Sequence, residues 1–214
     1  MIRTNKRLQT LAISLSALGG FVDALGFLKL GGFFVAFMSG NSTRMSVGLA
    51  EGSRDFAIAG GLIAVFVIGV IFGSVVAHLG HTRRRTWVLV VVTSLLAAGA
   101  MLDRVGPEWA SIGAIVLAMG AVNAVFQKDG EVSIGLTYMT GTLVKMGQRM
   151  ASVFMGGKYT DWIPYFGLWC GLAAGAALGA AMYPIYGFGV ALWFATIAAG
   201  LLAVITLWLP AEDI

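Results

Sequence analysis

The 214-residue sequence predicts an all-α, polytopic transmembrane helix bundle. Three observations carry that prediction. Apolar residues make up 58% of the chain and charged residues only 11%, whereas an ordinary soluble domain carries roughly twice that charge. Apolar runs of about 20 residues recur, each long enough to cross roughly 30 Å of hydrocarbon. The basic residues gather between these runs, at Arg3–Arg7 and His81–Arg85. That pattern orients a chain in a bilayer, so the net charge of +4 is no signal for nucleic acid.

The strong apolar runs are Leu8–Leu28, Phe56–Leu79, Trp87–Leu102, Ser111–Phe126, Ile163–Tyr183 and Phe188–Leu209. Two weaker, more polar segments cover Phe33–Ala50 and Val132–Met155. No long hydrophilic linker interrupts them, so residues 1–214 read as one transmembrane domain. The first run has the outline of a secretory signal, with a basic start and small residues at Ala17 and Gly19. It continues past Gly20 through Leu28, and the repeat described next needs it, so a membrane span is expected. The single cysteine, Cys170, lies inside an apolar run. It excludes an intrachain disulfide and a cysteine-cluster metal site.

The chain repeats itself. "GFVDA" at Gly20–Ala24 matches "GAVNA" at Gly120–Ala124, and "MSGNSTRM" at Met38–Met45 matches "MTGTLVKM" at Met139–Met146. Asp55 and Asp161 precede corresponding runs, Gly69 and Gly73 correspond to Gly175 and Gly179, and Trp87 corresponds to Trp193. These matches keep one order, which implies internal repeats over 8–102 and 108–209. Charge placement sets the number of spans. With the N-terminus in the cytoplasm, a spanning Phe33–Ala50 segment would put His81–Arg85 outside, against the positive-inside rule. If that segment dips in and returns, the basic loop falls inside. Six spans in an inverted 3+3 repeat follow, with two broken or re-entrant segments and both termini cytoplasmic. The alternative is eight spans in a parallel 4+4 repeat.

The two polar motifs are the candidate site. Irregular backbone at membrane depth survives only inside protein or beside a water-filled cavity. Gly40 and Gly141 are suited to unusual backbone angles, and Ser39 and Thr140 to helix N-caps. A helix starting there offers a positive end to an anion. Arg44 follows Asn41, and Lys145 follows Thr142, by three residues, so each pair shares a face. Asp23 lies mid-span, and Asn123 stands in its place in the second half. Charges inside a membrane mark a substrate path or an ion pair. Arg44 is therefore either held for a solute or held by Asp23, and Lys145 with Arg149 can also snorkel to the interface.

Other patterns have plainer readings. Gly167, Gly171, Gly175 and Gly179 form a stripe at spacing four that lets helices approach closely. Met38, Met45, Met139 and Met146 read as adaptable packing, and Trp109, Trp162 and Trp208 as interfacial anchors. His78 and His81 lack the partners of a metal site. Ser39 or Ser42 as the nucleophile of an intramembrane hydrolase lacks a histidine in the same motif and a Gly-x-Ser-x-Gly turn. No catalytic residue is assigned, and no nucleotide or redox motif calls for a cofactor.

The stretch Gly19–Ala50, "GGFVDALGFLKLGGFFVAFMSGNSTRMSVGLA", resembles the signature region of the YoaK-like family. Asp23-Ala24 and Gly40-Asn41 carry the resemblance, and Ser39 stands where threonine is commoner. The resemblance implies a bacterial inner-membrane protein with six spans and no assigned function, and it supplies no site residues. The expectation from the residues is a small transporter or channel in the inner membrane for a small, anionic solute. Its path would use Asp23, Ser39, Gly40, Asn41, Arg44, Asn123, Thr140, Gly141, Thr142 and Lys145. The partners expected are the lipid bilayer and that solute, with glycine faces that admit a homo-oligomer. The alternative is a membrane interaction or scaffold protein.

Overall fold

A computed structural model describes residues 6–128 and 131–209. Arg3, to which the sequence gives an orienting role, lies outside them. The described chain is helical apart from connections and one short pair of strands. In order, the elements are α1 (Lys6–Lys29), α2 (Met38–Glu51), α3 (Asp55–Leu79), α4 (Arg84–Val105), α5 (Glu108–Ala121), β1 (Gln127–Lys128), β2 (Glu131–Val132), α6 (Met139–Phe154) and α7 (Ile163–Thr206). Short 3₁₀ turns at His81–Arg83 and Val122–Phe126 precede α4 and extend α5. The strands pair antiparallel, Gln127 opposite Val132.

Five helical stretches are long and apolar enough to cross a membrane: Lys6–Lys29, Asp55–Leu79, His81–Val105, Glu108–Phe126 and Ile163–Thr206. The last has 44 residues. A straight helix of that length would be about 66 Å at 1.5 Å per residue, twice the hydrocarbon thickness. It does not run straight through. Gly187 has φ 74° and ψ 170° inside it, just after Pro184. Proline removes a backbone donor, and only glycine takes that left-handed angle without penalty. The break falls between the two sequence segments Ile163–Tyr183 and Phe188–Leu209.

α2 and α6 have 14 and 16 residues, about 21 and 24 Å of helix, short of a full crossing. α2 begins beside the middle of α1, at the level of Asp23, and runs back. Arg44, two turns in, already lies against Gly31 at the end of α1, its Nη1 3.4 Å from the Gly31 carbonyl oxygen. α2 then hands over to α3 through a glycine turn at Gly52, whose φ is 66°.

Helix pairing crosses between the sequence halves. A side chain at Gly175 would strike the carbonyl of Ala17, and one at Gly179 would come within 2.5 Å of the Phe21 carbonyl oxygen. So the first arm of α7 packs on α1. Gly69 likewise meets the carbonyl of Leu117, and Gly73 meets Ala121 at 2.6 Å, joining α3 to α5. The approach is mutual: Gly20 faces the Leu172 carbonyl, and Gly120 faces that of Phe66. Small residues let apolar helices gain dispersion contact over their whole length.

Two polar layers cap the bundle ends. At one end Lys29 reaches Asp103 at 3.3 Å and Glu108 at 3.6 Å, with its ammonium 5.4 Å from the Phe188 ring. This ties together the ends of α1 and α4, the start of α5 and the break in α7. At the other end Thr86 and Thr206 hydroxyls lie 2.9 Å apart, and the Arg85 guanidinium sits 5.9 Å from the Phe126 ring.

Gly175→Val is expected to destabilise the protein by about 1–3 kcal/mol or more, because the obstacle is backbone. Gly147→Ala, in α6 with open space around it, should be neutral or stabilising by up to about 1 kcal/mol. Equilibrium unfolding in mixed micelles measures both.

Candidate functional site

The chain between α1 and α2 reverses inside the bundle, and its amides need acceptors there. Asp23 supplies them. Its Oδ1 accepts from the amides of Val35 at 2.8 Å, Ala36 at 2.7 Å and Phe37 at 3.4 Å. Asn41 secures the preceding residue from the other side. Its amide nitrogen donates to the Phe34 carbonyl at 2.7 Å, and its oxygen accepts from the Phe34 amide at 3.0 Å. Asn41 is fully buried and serves the backbone. The sequence reading places the cap on Ser39. In the structure α2 is preceded by Phe37 with no side-chain cap from its own segment, and Ser39 is an exposed residue of the first turn. The cap comes from another helix.

Gly40 and Gly141 are ordinary helical residues, so the expectation of unusual backbone angles there is corrected. The positive φ values in this half fall at Gly31, Gly32, Gly52 and His81. Gly40 is needed for space, since a side chain would come within 2.7 Å of the Phe34 and Phe37 rings.

Arg44 does not pair with Asp23. Its Nη2 lies 3.1 Å from Asp55 Oδ2, and its guanidinium lies 4.1 Å from the Phe33 ring centre. The two side chains are 33% and 39% exposed, so this pair contributes at most about 1 kcal/mol. Asp55 was legible only as a repeat match; its pairing with Arg44 needs the α2–α3 turn. Lys145 does not pair with Asp23 either. It borders a pocket of about 80 Å3 with Ser133, Thr142 and Tyr165, and it makes no ion pair among the described residues.

Asn123, which the sequence matches to Asp23, does not make the same amide cap. Asn123 is buried, donates to the Met119 carbonyl at 3.0 Å, and accepts from the Thr137 hydroxyl at 3.3 Å. No hydrogen bond from the amides of Leu136, Thr137 and Tyr138 is present among the described residues. Thr142 is buried and its hydroxyl donates to the Tyr138 carbonyl at 3.2 Å.

The starts of α2 and α6 together line two neighbouring cavities. The larger, of about 540 Å3, is lined by Gly20, Asp23, Phe27, Phe34 and Leu172 among others. The smaller, of about 280 Å3, is lined by Ser39, Phe66, Tyr138, Thr140 and Gly141 among others. Ala36, Phe37, Thr137 and Met139 border both. Arg44, Asn41, Asn123 and Lys145 border neither. The predicted residues are thus divided: Asp23 at the large cavity, Ser39, Thr140 and Gly141 at the small one, and the cations outside. The sequence reading missed the three phenylalanines, which lie beside the predicted motif without any polar signal of their own.

Asp23→Ala strips an acceptor from three interior amides and should cost about 1–3 kcal/mol. Asp23→Asn keeps an oxygen in place and should cost less. Asn41→Ala should resemble Asp23→Ala. Denaturant unfolding of the three variants checks the order.

The family described as "Protein of unknown function (DUF1275)" matches residues 11–207. A UPF0700 transmembrane protein of Rhizobium meliloti (strain 1021) is 36% identical over 200 residues, covering 94% of this chain and 86% of its own. No solved structure matches. A family of membrane proteins without assigned function agrees broadly with the resemblance to the YoaK-like family.

Proposed function

The chain belongs to the DUF1275 family, and we propose that it is a six-span inner-membrane transporter that passes a small solute between the two cavities. One observation carries this reading: two unequal cavities lie at the starts of α2 and α6 and share Ala36, Phe37, Thr137 and Met139 in their linings. Two chambers with a shared wall suit a carrier better than a single open pore.

The topology behind it is an inverted repeat over 8–102 and 108–209. Gly20 on Leu172 and Gly120 on Phe66 are the same contact made twice, as are Gly175 on Ala17 and Gly69 on Leu117. Three crossings per half reverse the second half, and the break at Gly187 supplies the sixth crossing. α2 and α6 serve as the re-entrant pair. With His81–Arg85 inside, the termini are cytoplasmic, and the layer of Lys29, Asp103 and Glu108 faces outside.

The preference for an anion, expected from Arg44 and Lys145, loses its support. Arg44 is neutralised by Asp55, and neither cation borders the central cavities. The charge at the larger cavity is the carboxylate of Asp23. A scaffold without transport is the second reading, favoured by the satisfied ion pairs of Arg44 and Lys29.

Single cysteines in a Cys170→Ala background test the topology. Ser53→Cys should react with an impermeant maleimide from outside and Thr82→Cys only after lysis; the reverse result selects the eight-span plan. Reconstituted vesicles test transport, with cations, anions and neutral solutes offered in turn. Flux should survive in the Arg44→Ala, Lys145→Ala double variant and fall in Thr137→Trp, which adds bulk at the shared wall. Flux equal to protein-free vesicles for every class would leave the scaffold reading.

A further inference from the structure

We infer that the larger cavity is a binding site for a small organic cation, with the free oxygen of Asp23 as counter-ion and Phe27, Phe34 and Phe37 as an aromatic wall. The inference deepens the transport reading and rests on it for the cavity's role in transfer; the binding itself stands on geometry.

Asp23 makes its three amide bonds through Oδ1 alone. No donor among the described residues reaches Oδ2, and Asp23 borders the cavity. At the corresponding position in the second half, neutral Asn123 caps no amides among the described residues and accepts from the Thr137 hydroxyl instead, so the carboxylate is particular to the cavity side of Asp23. A carboxylate inside a bundle costs free energy unless something compensates it. The protein's own cations nearby are occupied: Lys29 by Asp103 and Glu108, Arg44 by Asp55. Neither is left for Asp23, so beyond its three amides a cation in the cavity would complete the balance.

The rest of the lining fixes the chemistry. Phe27 and Phe34 have ring centres 4.9 Å apart, and Phe34 and Phe37 5.1 Å apart. Aromatic rings attract ammonium groups that have shed their water. The remaining walls are mainly glycine, alanine, leucine and methionine, with Thr137 as the one hydroxyl. A sugar or phosphate would leave most of its polar atoms unpaired there, while an alkylated ammonium needs only charge and apolar contact. The volume of about 540 Å3 suits a small ligand.

Isothermal titration of the full chain in uncharged maltoside micelles tests this. The probes are choline, its uncharged carbon isostere dimethylbutanol, and the matching anion dimethylbutyrate. Choline should bind saturably, with the alcohol and the anion at least about tenfold weaker. Asp23→Asn should keep the melting transition and lose choline affinity at least about tenfold. Absence of choline binding, equal binding of the alcohol, or unchanged affinity in Asp23→Asn overturns the inference. Should Asp23→Asn fail to fold, Phe37→Leu keeps the carboxylate and removes a ring, and unchanged affinity there overturns it equally. Choline bound but no solute moved in vesicles defeats the transport reading alone. Another solute moved without choline binding defeats only the cation site.

Discussion

A chain that turns back inside an apolar bundle carries amides that neither water nor a helix can satisfy. Asp23 resolves this for residues 35–37 by presenting one carboxylate oxygen to three consecutive amides. Hydrogen bonds to a charged acceptor are stronger than neutral ones, so the reversal is held against α1. Asn41 clamps Phe34 just before it. The direction of α2, the return of Arg44 to the end of α1 and the position of Asp55 all follow from where that reversal is pinned.

The glycine contacts supply the frame around it. α1 rests on the first arm of α7, and α5 on α3, through backbone-to-backbone approaches that no larger residue allows. Space remains beside these crossings, in cavities of about 480 Å3 between α3 and α5 and about 530 Å3 between α1 and α7. The two cavities at the starts of the short helices differ from them in bordering the polar motifs.

Charge is distributed on the same plan. Basic side chains pair with acidic ones at the bundle edge, Lys29 with Asp103 and Glu108, Arg44 with Asp55. This leaves a carboxylate, rather than a guanidinium or an ammonium, beside the larger cavity. The electrostatic character of the interior is thus opposite in sign to what the motif residues suggest when their partners are unknown.

The sequence by itself determined the helical class, the membrane setting and nearly every segment, because long apolar runs and clustered basic residues report directly on the solvent around them. It also marked Asp23 and Asn41 as exceptional, since a polar residue within an apolar stretch must be satisfied by something. It could not say by what. The acceptor role of Asp23 falls on backbone amides, which every residue but proline carries, so no side-chain pattern announces Val35, Ala36 and Phe37. Arg44 had two carboxylates in reach along the chain, and only the tight turn between α2 and α3 selected Asp55. The glycine stripe was legible as a packing face, but its partner was not, because a glycine records that something comes close and not what. Those choices belong to the tertiary structure, where distance rather than residue type decides which groups meet.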